Sequence, residues 1–261
     1  MSSVANYIRD LQAQGRYHFT TDEAGQTLGG SVLATRAALR RLKEKGLIAA
    51  PHRGFNVIVP PEYLHLGCVP ADQFLPDLME HLGEPYYVAL LSAAAFHGAG
   101  HQRPQRFQVM VSGARRGITC GQVSLDFITR RDAADTPVVL RNTPRGVLRI
   151  ATPEATAVEV TGYAGHSGGL DNVATVLTEL SELMDPEALE TEARRSPVAW
   201  VQRLGYLLSS IQAHELAEAL CRVLSEKTPF FVALAPAVPM VGATRDPRWR
   251  VAVNVEVEPD L

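Results

Sequence analysis

The chain has 261 residues, of which 46% are apolar and 20% charged, so it is long enough for two domains and rich enough to bury a core without disulfides or metal. No apolar run reaches the ~18–20 residues that cross a bilayer, which excludes a helical membrane span. The net charge of −3 is unevenly spread: residues 1–60 hold eight Lys/Arg against four Asp/Glu, a net +4, and the remainder is −7, so a basic head that meets phosphate sits on an acidic body.

In chain order, Val4, Tyr7, Ile8 and Leu11 form one apolar stripe, predicting a helix over residues 4–14 that Gly15 ends. Tyr17–Thr20 is short and β-prone. Thr20 or Thr21 caps a second helix, with Asp22 and Glu23 in its first turn, where the helix dipole favours acids. That helix stops at Leu28-Gly29-Gly30. Ser31 then caps a third, SVLATRAALRRLKEK, which gathers cations in its last turns and ends at Gly46. Two β-prone runs in LIAAPHRGFNVIV flank the turn chemistry of Pro51-His52-Arg53-Gly54. Helix, strand, helix, tight turn, helix and hairpin is the order of a winged helix-turn-helix.

Pro60-Pro61 marks a boundary between this domain, residues 1–60, and a larger one over residues 61–261. There, residues 71–82 and 86–97 read as helices, the second nearly all apolar and hence buried. Strands are expected at Phe107–Val111, Val123–Thr129, Val138–Leu140 and Val147–Ala151. A helix opens at Pro153, and others follow near 170–184, 186–195, 198–210 and 213–227. Two β-prone stretches, Phe230–Leu234 and Arg250–Val257, close the chain. The fold class is therefore α+β: an N-terminal winged helix-turn-helix followed by a larger mixed α+β domain.

Stepping 100° per residue along the third helix places Val32, Ala38, Leu39 and Leu42 within about 60° of Thr35, the stripe expected to pack on the first two helices. Leu33, Ala37, Arg40 and Glu44 fall on the opposite face, with Arg36 and Arg41 on its flanks. Small residues let a helix enter the major groove, and arginine takes guanine edges bidentately or neutralises phosphate. The expected contacts to double-stranded DNA are Ser31, Arg36, Arg40 and Arg41 on the helix, His52 and Arg53 on the wing, and Lys43 toward phosphate. The competing reading is a solvated basic face.

Candidates for chemistry are weaker. Gly165-His166-Ser167-Gly168-Gly169 matches G-x-S-x-G, but a helix-like segment precedes it where a nucleophile elbow needs a strand, so a glycine-rich connector is expected. His97 and His101 lack the intervening Glu of a zinc protease motif and a third ligand. The arginines at 103, 106, 115, 116, 130 and 131 read as the solvated rim of a sheet. Cys68, Cys120 and Cys221 form no C-x-x-C pair and read as buried free thiols. No phosphate loop or dinucleotide fingerprint occurs, so no catalytic residue, metal or cofactor is expected. The opening segment MSSVANYIRDLQAQG lacks an apolar signal core, so a cytoplasmic protein is expected.

Several segments in order carry a resemblance: GLIAAPHRGFNVIVPPEY, YYVALLSAAAFHGAGHQRPQRFQVMV, VLRIATPEATAVEVTGY and GGLDNVATVLTEL. Over residues 1–180 the chain resembles the AbiEi antitoxins of bacterial AbiE-type (type IV) toxin–antitoxin and phage-defence systems. The resemblance implies a winged helix that represses its own operon at inverted repeats. It also implies a C-terminal domain opposing an AbiEii-like nucleotidyltransferase toxin, directly or functionally, without enzymatic activity or a membrane partner. Carried over from the family are the groove-facing positions of SVLATRAALRRLKEK and the wing residue Arg53. The alternative is a ligand-responsive winged-helix transcription factor with no toxin partner, which predicts an apolar pocket in the larger domain.

Overall fold

Local signals explain the first elements of the computed structural model, which describes residues 4–100 and 104–259. Helix α1 (Val4–Ala13) buries Tyr7, Ile8 and Leu11. Strand β1 (His18–Thr20) runs into helix α2 (Thr21–Leu28) through a capping box. There the Thr20 hydroxyl accepts from the Glu23 amide at 3.1 Å, and the Thr20 amide donates to Glu23 Oε2 at 2.7 Å. Burial alone would raise the Glu23 pKa. The Thr20 amide and the Arg16 guanidinium outweigh it and hold the carboxyl below its ordinary value. Helix α3 (Val32–Glu44) follows, then β2 (Ile48–His52) and β3 (Phe55–Ile58), and the three strands pair antiparallel in the order β1-β3-β2. Tyr7, Ile8, Leu11, Phe19, Ala24, Leu39, Ile48 and Ile58 form their common core, with Tyr7 edge-on to Phe19 at 5.5 Å.

The chain divides into two compact units. The first takes residues up to 87 with 105–135 and 140–149; the second takes 88–104, 136–139 and 150 onwards. Within the first unit, residues from beyond Pro60 pack on the winged helix. His18 stacks on Phe55 at 5.5 Å and meets Asp77 at 3.2 Å, and the Arg145 guanidinium lies 3.9 Å from the centre of the Tyr17 ring. Helix α4 (Leu75–Leu82) buries Leu75, Leu78 and Met79.

The expected helix over 86–97 is corrected. Tyr86–Val88 is a strand, β4, and only Leu90–Phe96 is helical, as α5. A continuous apolar run carries no period to separate strand from helix, and Leu90 turns the chain between them with φ at 51°. In the first unit β5 (Phe107–Val111) pairs parallel with β7 (Val123–Thr129), and β6 (Ile118–Cys120), which the pattern does not predict, pairs antiparallel with β7.

Gly121 passes so close to the 66–67 backbone that a β-carbon there would lie 2.1 Å from the Leu66 carbonyl oxygen. This approach brings Cys68 and Cys120, both buried, into thiol–thiol hydrogen bonding. That bond pulls the Cys120 thiol below its ordinary value, with help from the Lys43 charge and the Ala50 amide, and pushes Cys68 up. Cys221 is half-buried rather than fully buried.

Strands β8 (Val138–Thr143) and β9 (Gly146–Ala151) divide their residues between the units, and in the second unit Val88 pairs with Ile150 in parallel. Helix α6 (Pro153–Gly162) is buried from Glu154 through Thr161, the mark of a helix enclosed on every side. Around it pack α5, α7 (Leu170–Ser181), α8 (Pro186–Arg195) and α9 (Val198–Ser210), and α10 (His214–Ser225) lies on α8 and α9. A small sheet ends the chain: β12 (Val251–Val253) lies between β10 (Val232–Ala233) and β11 (Thr244–Asp246), the last not expected from pattern. Among the described residues no helix is long and apolar enough to cross a membrane.

Candidate nucleic-acid interface

Helix α3 is presented, not enclosed. Its Thr35 and Leu39 are buried and Ala38 and Leu42 half-buried, as the 100° step requires. Val32 departs from that expectation and is 64% exposed, because the first turn of the helix projects past the core it packs on. Ser31 caps the helix, its Oγ accepting from the Ala34 amide at 3.2 Å, which fixes where the helix starts. Arg36, Arg40, Arg41 and Lys43 are all exposed. Arg40 Nε lies 3.5 Å from Glu44 Oε1 one turn on, with the side chains 78% and 63% exposed. Such a pair is worth only about 0.3–0.5 kcal/mol in water.

On the wing, β2 and β3 are joined through Arg53 and Gly54. Arg53 is exposed at the tip, and Gly54 takes a φ of 83° that closes the turn. The Asn56 amide donates to Thr21 Oγ1 at 3.2 Å and ties the wing to α2. His52 is half-buried, its ring edge-on to His81 at 6.2 Å and its Nδ1 without a hydrogen-bond partner among the described residues. Four helix cations and Arg53 thus stand in solvent on the winged helix, while the His52 ring turns toward α4.

Leu33 is the residue that sequence reasoning placed correctly and passed over. It sits on the outward face and is 80% exposed, more so than Val32 beside it. The 100° step predicts that exposure, and the arginines beside Leu33 carry the stronger signal. The Arg145–Tyr17 contact had no sequence signal, since 128 residues separate the partners.

The other candidates resolve into structure. Ser167 is buried, its hydroxyl donates to the Tyr163 carbonyl at 3.2 Å, and it follows helix α6 and a 3-10 turn at Ala164–His166, so the segment is a connector between α6 and α7 and not a strand-to-helix elbow. His97 caps α5 and lies 2.7 Å from the Ala151 carbonyl through Nε2. His101 and Arg103 lie outside the described residues. Among the described residues no cluster of His, Cys, Asp or Glu is suited to hold a metal. Of the arginine-rich stretch, Arg106 pairs with Asp126 at 2.6 Å, Arg115 with Glu84 at 2.6 Å and Arg130 with Asp132 at 2.9 Å. Arg116 and Arg131 are exposed. In the second unit a cleft of about 600 Å³ is lined mainly by small and apolar residues, among them Gly165, Leu170, Leu234 and Pro236, with Arg203 on its wall.

Comparison with known proteins adds the following. Residues 87–210 match the family model of the AbiEi antitoxin C-terminal domain. The fold is similar to that in the crystal structure of the RV2827C protein from Mycobacterium tuberculosis, with a TM-score of 0.69 at 20% identity, over 95% of this chain and 89% of that one. No curated protein matches the chain.

Proposed function

We propose, from the match of residues 87–210 to the AbiEi antitoxin C-terminal domain, that the chain is an antitoxin that also represses its own operon by binding DNA. The antitoxin role is supported by that match. Operator binding is assigned to residues 1–60, with α3 in the major groove and the wing beside it, and opposition of a nucleotidyltransferase-like toxin to residues 61–261. The observation that carries DNA binding is the exposed cationic side of α3, with Arg36, Arg40, Arg41 and Lys43 in solvent and Arg53 at the wing tip. DNA contacts by Ser31 and His52 and a phosphate contact by Lys43 belong to the same proposal, the first through a helix start fixed by its cap and the second requiring the His52 ring to turn from α4.

Two measurements test the two halves. The neighbouring reading frame, expressed alone, should arrest growth of a bacterial host, and co-expression of this chain should restore it; growth arrest that this chain fails to relieve ends the pairing. Fluorescence anisotropy on the duplex upstream of the gene should show binding that weakens steeply with added salt, and salt-insensitive binding contradicts an arginine-driven footprint. Glu44 sharpens the test. Glu44→Gln removes an acid from the side turned to DNA and releases Arg40, so operator affinity should rise roughly twofold, on the scale of an exposed ion pair. A lower affinity would mean that this side of α3 faces away from the duplex.

The cleft in the second unit is the one observation favouring the alternative, a ligand-responsive regulator without a toxin. A metabolite that released the chain from its operator, in a host with no toxin gene beside this one, would select that reading.

A further inference from the structure

The outward face of α3 is apolar at the centre of its N-terminal half, through Leu33 and Ala37, and charged beyond it, through Arg40 and Glu44. With Thr35 as the buried reference, Leu33 and Ala37 lie about 160° away on either side, Arg40 at about 140°, and Arg36 and Arg41 at about 100–120° on opposite flanks. Leu33 is 80% exposed and Val32 64%, whereas Thr35 and Leu39 on the buried side are 4% and 6% exposed. Two large aliphatic side chains held in water on the first turn of a helix contribute nothing to the core beneath them. Arg36 and Arg41 flank Leu33 on its two sides, so its occupant is an object with an apolar feature set between two rows of negative charge.

We propose that Leu33, with Val32 beside it, contacts the 5-methyl groups of thymine in the major groove of the operator, while Arg36 and Arg41 hold the phosphates on its two walls. The proposal rests on the DNA-binding reading above and deepens it by naming what the helix reads. In the major groove thymine alone among the bases presents a methyl, and aliphatic side chains read it by contact where hydrogen bonding cannot. Recognition helices of this class place their N-terminal residues against base edges, which is where Val32 and Leu33 stand. A second copy of this chain is the other conceivable occupant. The flanking arginines oppose it, because two such faces brought together would confront cation with cation.

The test uses the full chain and its own upstream duplex, unmodified and with thymine replaced by deoxyuridine one position at a time, an exchange that deletes the methyl and leaves the pairing edges intact. One or two positions in each half-site should lose roughly fourfold in affinity per methyl, the equivalent of ~0.8 kcal/mol for one buried methyl-sized group. Leu33→Ala should weaken the thymine duplex by a similar factor and abolish the difference between thymine and uracil, with the salt slope unchanged. Because Leu33 is exposed, the variant should fold as the parent does. Equal affinity of the parent for thymine and uracil duplexes overturns the proposal while leaving operator binding intact, as does discrimination that survives in Leu33→Ala. Failure to prefer the upstream duplex over a scrambled one overturns the operator reading and this proposal with it. Dissociation of a dimer by Leu33→Ser, with no sensitivity to uracil, assigns the face to a second copy and overturns it too.

Discussion

Trp249→Ala should destabilise the second unit by about 3–5 kcal/mol, the usual cost of emptying a buried aromatic site. Trp249 is 1% exposed, its indole N–H donates to Ser209 Oγ at 3.0 Å, and its carbonyl accepts from the buried Gln202 side chain at 3.0 Å. The ring lies directly over Gly205 of α9, where an added β-carbon would stand 2.1 Å from Cζ3. Gly205→Ala should therefore also destabilise, by about 1–3 kcal/mol or more, although alanine is the better helix former by about 1 kcal/mol. The two substitutions should couple with opposite sign. Once Trp249→Ala has cleared the ring away, Gly205→Ala should become neutral or stabilising, since only its helix preference remains. Denaturant titration of the single and double variants, followed by far-ultraviolet circular dichroism, measures all three. A Gly205→Ala penalty that persists without the indole would show that another group opposes the β-carbon.

That contact was not legible in the sequence, and the reason is physical. Gly205 interrupts an otherwise regular helical pattern, VAWVQRLGYLLSS, and reads as a mild fault in α9 until Trp249, 44 residues later, is seen lying on it. Signals confined to a few residues were legible. The Thr20–Glu23 capping box, the Ser31 cap and the two-residue wing turn all place their partners within one turn of chain, so residue type and spacing nearly determine them. The winged helix emerged for that reason. The apolar run at 86–97 failed because burial on all sides erases the period that tells strand from helix. Strands of three residues such as Ile118–Cys120 and Thr244–Asp246 are too short to show alternation, and neighbouring strands define them. The candidate interface was half legible: charge marked the arginines and the 100° step put Leu33 and Leu39 on opposite faces, but Val32, on the packing side by that step, is left 64% exposed.

Replacing Arg36, Arg40 and Arg41 together by alanine should have the largest effect on DNA binding. If each neutralises one phosphate, the triple variant releases about three fewer counterions, and the slope of log affinity against log salt should fall by about 2.7. At an ionic strength near 0.15 M the same slope corresponds to roughly a hundredfold loss of affinity. All three side chains are exposed, and Arg40 has only a weak local tie to Glu44, so the fold should stand and the relief of growth arrest proposed for residues 61–261 should persist. The triple lysine variant separates two roles for the same residues. Lysine keeps the charge and restores the salt slope, but it lacks the planar fork that takes guanine O6 and N7 together. Recovery of slope and affinity with lost preference for the operator would place at least one arginine on a base. Full recovery of both would place all three on phosphate and leave discrimination to the apolar strip between them. An alanine variant that binds the operator with parental slope and affinity would remove α3 from the interface altogether.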